Sequence, residues 1–216
     1  VARRELPFPI LVAAVAAFLS ASCGGPSQRT PLESVPPDVV VDLQDRSYTI
    51  RGDDALELRD QMRALGPGSY GRFNWRIDTR WRYGVVEQSS ILPGASRETE
   101  CELKNIDIHL TLTITMPRWE RGASAPEELV ARWAAFKEGL RVHEEGHRDI
   151  ALRAAREVRR RLGELRTSNC AFMNREAKEL QSSIVDRWQE RSREYDEETR
   201  SGRTQGAVWP PPRPGG

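Results

Sequence analysis

His143 and His147 stand four residues apart, with Glu144 directly after the first, in the run HEEGH. On a helix, residues four apart share a face, so both imidazoles can reach one Zn²⁺ ion. The glutamate then lies beside the ion, where its carboxylate can take a proton from a zinc-bound water. Zinc lowers that water's pKa from about 15.7 to about 7, which makes a nucleophile available at neutral pH against a carbonyl that the ion also polarises. The same glutamate can hand the proton to the leaving amine. The chemistry this spacing points to is metal-assisted hydrolysis of a peptide bond, with Glu144 as general base.

The neighbouring residues support a buried metal helix. Trp133, Phe136, Leu140, His143, His147, Ile150 and Ala154 step by three or four, which puts both histidines inside an apolar stripe. Two imidazoles without partners would be costly there, and a metal supplies the partner. Gly146 lowers helix stability by about 1 kcal/mol relative to alanine, so a neighbouring backbone is expected to approach the helix closely at that point. A catalytic zinc takes three protein ligands and leaves one position for water. Glu157 lies about 15 Å further along the same helix and cannot be the third. Glu176, Glu179, Glu190, Glu194 and Asp196 remain as carboxylate candidates. His109, the remaining histidine, falls on the polar face of a strand and reads as an exposed strand residue rather than a ligand.

Those residues need a scaffold, and the pattern of the chain supplies one. Ile106, Ile108, Leu110, Leu112 and Ile114 alternate with polar residues, giving a strand with one core face that Pro117 is expected to stop. Such a strand beside the metal helix could pair with an extended substrate, making 106–116 a candidate ledge. Val39 to Ile50 holds two short strand-like runs, and Phe73 to Val86 reads as a strand pair or one long bent strand. Between them Asp53-Asp54 offers a cap for a short amphipathic helix through Leu56, Leu58, Met62 and Leu65, ended by Gly66-Pro67-Gly68. From Pro126 a long helix or helix pair runs to about Leu165, and a second helix from about Phe172 to Tyr195. The expected fold class is α+β, a small N-terminal antiparallel sheet followed by long helices over residues 39–206. Residues 207–216 read as a disordered Pro/Gly-rich tail.

Composition narrows the setting. Lys plus Arg (33) nearly balances Asp plus Glu (32), which gives no basic excess for nucleic acid. Neither a Gly-rich phosphate loop nor a nucleophile elbow is present, so no nucleotide is expected and peptide or protein is the expected partner. Arg3-Arg4 precede an apolar run from Ile10 to Ala21, typical of a signal peptide over 1–22 and too short to span a bilayer as a helix. Cys23 follows small residues as a lipid anchor would, with ordinary secretory cleavage the alternative; residues 23–38 then form a tether. The expected location is the cell envelope, or outside the cell. Cys101 and Cys170 remain as an even pair, suited to a disulfide in an oxidising compartment.

Several landmarks occur in a recognisable order: Trp75 and Trp81; Ile114 to Trp119 reading ITMPRW; Trp133 and Phe136; HEEGH; and Tyr195, Asp196, Thr199 and Gly202. Over roughly 39–206 the chain resembles the bacterial domain of unknown function 922 family, of exported zinc-dependent, zincin-like proteases. The resemblance implies a zinc metalloendopeptidase with His143, His147 and Asp196 as ligands, Glu144 as base and Tyr195 as an oxyanion donor. The segment YDEETRSG commonly reads Y-D-x-x-T-x-H-G in that family, so Ser201 stands where a histidine would. If that histidine is the family's ligand, the alternative is a non-catalytic zinc-binding or scaffold lipoprotein of the envelope. Amide hydrolysis on a cell-wall peptide would use the same chemistry.

Overall fold

In the computed structural model, which describes residues 39–66, 70–87 and 99–210, a four-stranded sheet carries two long helices on one face. The elements in chain order are β1 (Val39–Gly52), α1 (Ala55–Leu65), β2 (Arg72–Glu87), β3 (Thr99–Arg121), α2 (Glu127–Glu164), β4 (Arg166–Thr167) and α3 (Cys170–Thr199). A short 3₁₀ turn follows at Arg203–Gln205. The expected signal peptide over 1–22, the expected tether with Cys23, and residues 211–216 of the expected tail lie outside the described residues, as do Pro67 and Gly68. No described helix is long and apolar enough to cross a membrane.

The α+β expectation holds, with one change of sense in the sheet. Its order is β1-β3-β2, with β2 antiparallel to β3 but β1 parallel to it, so the sheet is mixed rather than antiparallel. The whole of Val39–Gly52 is one strand instead of two runs, because it pairs without interruption along 108–121. Phe73 to Val86 lies within one long strand with an irregularity between Arg80 and Arg82. Pro117 does not stop β3. Pairing with β2 ends at Thr115, so beyond it only β1 flanks the strand, and an edge tolerates a residue without an N–H.

The alternation in β3 works as expected. Ile106, Ile108, Leu110 and Leu112 are buried against Ala151, Leu152, Ala154, Ala155, Val158 and Leu162 of α2 and Met173, Ala177 and Ile184 of α3. The three alanines bring α2 close to the sheet. Cys101 and Cys170 form the expected disulfide, Cα–Cα 5.4 Å, joining the start of β3 to the first turn of α3.

A second core holds the N-terminal half of α2. Ile50, Leu58, Met62, Leu129, Phe136 and Leu140 pack with Ala207 and Trp209. Trp209 makes ring contacts with Trp133 and Phe136 at 5.3 Å and donates its indole N–H to the Ala55 carbonyl. The tail expectation therefore fails at its start: Ala207 and Trp209 are core residues, because the chain after α3 turns back over α2. Asp54 caps α1 by accepting the Leu56 and Glu57 N–H groups.

Candidate metal centre

One unbroken helix, α2, carries His143, Glu144 and His147, all at least 95% buried. α3 packs across it and presents Asp196 to both histidines. Asp196 Oδ1 lies 3.1 Å from His143 Nε2 and 3.1 Å from His147 Nε2, and the two Nε2 atoms are 3.2 Å apart. A zinc bonded at about 2.0–2.1 Å to each of three atoms sits against a tetrahedral face with edges of about 3.3–3.4 Å. The three atoms here form nearly that triangle, so this donor set could hold a metal ion and leave a fourth position open. Asp196 is the carboxylate that closes the set. Glu157 instead binds Trp188 Nε1 at 2.7 Å and Arg187 at 2.6 Å, while Glu179, Glu190 and Glu194 pair with arginines.

Each imidazole is held on its far side. His147 Nδ1 meets Ser192 Oγ at 2.8 Å, and His143 Nδ1 meets Gln205 Oε1 at 3.1 Å. Phe73 of β2 stacks on His147 at 5.8 Å, and Tyr195 of α3 stacks on His143 at 5.2 Å. Such partners fix ring orientation and tautomer at metal sites. Ser192 and Gln205 were not singled out in the sequence, because isolated polar residues with no fixed spacing from the histidines carry no local signal.

Glu144 sits beside the triad with its Oε2 buried and without a hydrogen-bond partner, while its carboxylate lies against Gly71 at the entry to β2. Burial pushes its pKa up to about 7; the His143 charge opposes this and the Asp196 charge adds to it. Burial would raise Asp196 too, but hydrogen bonds from His143 and His147 hold it well below the usual carboxylate range. His143 is raised: burial alone would lower it, and the Asp196 hydrogen bond and Glu144 charge outweigh that. A cavity of about 220 Å³ opens over the group, lined by Arg72, Phe73, Glu144, Ser192, Asp196 and Ser201 among others. The Asp196 side chain is 44% exposed, so the centre is reachable from solvent.

Three expectations change here. Tyr195 does not face the cavity as an oxyanion donor. Its hydroxyl lies on the Gly146 flank of α2, 3.4 Å from the His143 carbonyl, and accepts from Gln205 Nε2 at 2.8 Å. Gly146 is explained by that hydroxyl and not by a neighbouring backbone, since a Cβ at Gly146 would fall on it. The stretch 106–116 cannot add a substrate strand, because β3 is the central strand with β1 and β2 on either side. His109 is exposed on β3, opposite Val40 and Asp78, and does not join the centre. Ser201 does line the cavity, in the left-handed conformation at φ 52°, but it offers only a hydroxyl.

An α+β chain with a His/His/Asp group capable of holding a metal on paired helices is the class that fold and site define. The chain belongs to the family described as bacterial protein of unknown function (DUF922), whose model matches residues 45–203. No curated protein and no solved structure matches it.

Proposed function

We propose that this protein is a zinc-dependent metallopeptidase that hydrolyses peptide bonds outside the cytoplasm. The observation that carries the reading is Glu144: a carboxylate with one oxygen buried and unpartnered, beside three donor atoms on a near-tetrahedral face. A structural metal site has no use for such a group, whereas hydrolysis needs a base there. Zinc suits a nitrogen-rich set with one carboxylate, and when bound would supply a Lewis acid and acidify water. Glu144, with a pKa near neutrality, takes the proton from the attacking water and returns it to the leaving amine. Asp196 offsets positive charge at the centre and orients both imidazoles through its single Oδ1.

The outer edge of β2 suits an extended substrate backbone. Gln181 Nε2 donates to the Ile77 carbonyl at 3.1 Å from α3, so that carbonyl points away from β3. Along a strand, residues two apart point the same way, so Phe73 and Trp75 direct their peptide groups to the same outer side beside the cavity. Residence in the envelope rests on the N-terminal apolar run and agrees with the disulfide.

The test is zinc content of the purified protein together with hydrolysis of an unfolded protein substrate. One zinc per chain, loss of zinc in His143→Ala, and turnover that disappears in Glu144→Gln are expected. Bound zinc with no turnover on any peptide would overturn the peptidase reading in favour of a non-catalytic zinc-binding protein.

A further inference from the structure

Tyr195, whose ring stacks on His143, and Gln205, in the turn after α3, form a chain of hydrogen bonds that closes on His143. Thr199 Oγ1 lies 3.3 Å from His143 Nδ1, but its own proton is engaged by the Tyr195 carbonyl at 2.7 Å. It can therefore only accept from Nδ1. Gln205 presents Oε1 to the same nitrogen at 3.1 Å and sends its amide N–H to the Tyr195 hydroxyl at 2.8 Å. That hydroxyl, accepting from Gln205, gives its own proton to the His143 carbonyl at 3.4 Å. With the Gln205 carbonyl turned to the ring, Gln205 Oε1 and Thr199 Oγ1 are both acceptors at Nδ1, an arrangement that favours a hydrogen on His143 Nδ1. The charged ring also gives its Nε2 hydrogen to Asp196; when it loses one proton, the bonds at Nδ1 favour keeping the hydrogen there and freeing the Nε2 lone pair toward His147 and Asp196.

Close approaches hold the ring in place. Gly146 leaves the space that the Tyr195 hydroxyl occupies. The turn carrying Gln205 rests on α2 where Gly139 meets the Gly206 backbone, and Gly202, at φ 82°, lies against the His143 ring. Downstream, Ala207 and Trp209 anchor the segment in the second core.

We propose that Gln205, oriented by Tyr195, is a positioning residue that fixes His143 in its Nδ1–H tautomer and so presets Nε2 as a metal ligand. The proposal rests on the metal-centre reading above and assigns Tyr195 an orienting role on the Gly146 flank of the helix. Partners of this kind typically change metal affinity by about 10–100-fold. Gln205→Ala removes the nearer of the two acceptors and leaves Thr199 Oγ1 at 3.3 Å. Gln205→Glu keeps an acceptor and lets the Tyr195 hydroxyl donate to it.

The experiment pairs zinc affinity, by competition with a chromophoric chelator, with long-range ¹H–¹⁵N NMR of the metal-free protein at alkaline pH, where the imidazole is neutral. The expected result is an Nδ1–H ring in the wild type. Gln205→Ala should populate Nε2–H and lose about 10–100-fold in affinity, and Gln205→Glu should stay within about threefold of wild type. Tyr195→Phe, which keeps the stacked ring, should fall between them. An Nε2–H ring in the wild type, or Gln205→Ala with unchanged tautomer and affinity, overturns the proposal. If no form takes up zinc, the metallopeptidase reading fails, and the tautomer alone decides the role of Gln205.

Discussion

Replacing Asp196 with asparagine tests whether this carboxylate is a metal ligand or only a hydrogen-bond partner for two histidines. The substitution keeps shape, and the side chain is 44% exposed, so the fold should survive it. Structural zinc sites bind with about 10–16 kcal/mol spread over four ligands, which puts roughly 3 kcal/mol on each. At 1.4 kcal/mol per factor of ten, losing one ligand should weaken zinc binding by about a hundredfold or somewhat more. A competing effect acts the other way. Asp196 helps hold His143 above its ordinary pKa, so in the wild type a proton competes with the metal more than it does in the variant. Measuring at mildly alkaline pH suppresses that competition and isolates the lost ligand. Chelator competition reads the affinity directly, and Glu157→Gln serves as the control, because Glu157 binds Trp188 and Arg187 instead of the centre. Wild-type affinity in Asp196→Asn, or an equal loss in Glu157→Gln, would refute the assignment.

Glu144→Gln should keep zinc while losing hydrolysis, read by metal content and peptide turnover; retained turnover removes Glu144 as the base. Gly146→Ala should gain about 1 kcal/mol of helix propensity yet lose zinc affinity, because its Cβ displaces the Tyr195 hydroxyl; chelator competition decides which effect wins. Burial would raise the pKa of Glu157, but Trp188 and Arg187 bring it below its ordinary 4.5. Its stabilisation is therefore full above that value and lost as pH falls through the lower folded one. The wild type should exceed Glu157→Gln by about 1 kcal/mol at neutral pH and lose that margin in acid, by denaturant melts across pH. Reducing Cys101–Cys170, which closes a separation of 69 residues, should lower stability by about 4 kcal/mol at most, read by melting with and without reductant.

What could be read from the sequence was whatever repeats with a local period. HEEGH fixes three side chains on one helical turn, and the alternation in β3 fixes its buried face, because both follow from backbone geometry alone. The disulfide could be anticipated from cysteine count and compartment. Asp196 was reachable only through its place in a family pattern, since nothing in the spacing between α2 and α3 sets which carboxylate meets the histidines. Three kinds of feature were out of reach. The parallel pairing of β1 depends on a crossover that hydrophobic alternation does not encode. The effect of Pro117 depends on whether its side of the strand is paired, which the local sequence does not encode. Trp209 stands next to Pro and Gly residues that read as a disordered tail, yet its single buried indole outweighs that composition.

Gly146 and Tyr195 have one explanation. A glycine inside a helix calls for a close neighbour, and the neighbour here is the Tyr195 hydroxyl, which occupies the space that Gly146 leaves. That single contact seats the hydroxyl on the Gly146 flank of α2, where Gln205 meets it and turns its own carbonyl toward His143. The segment after α3 is thus tied to the metal helix at both ends, through Gln205 at the centre and Trp209 in the second core. A change in the seating of Trp209 would have to pass through only three residues to reach the partner of a proposed zinc ligand.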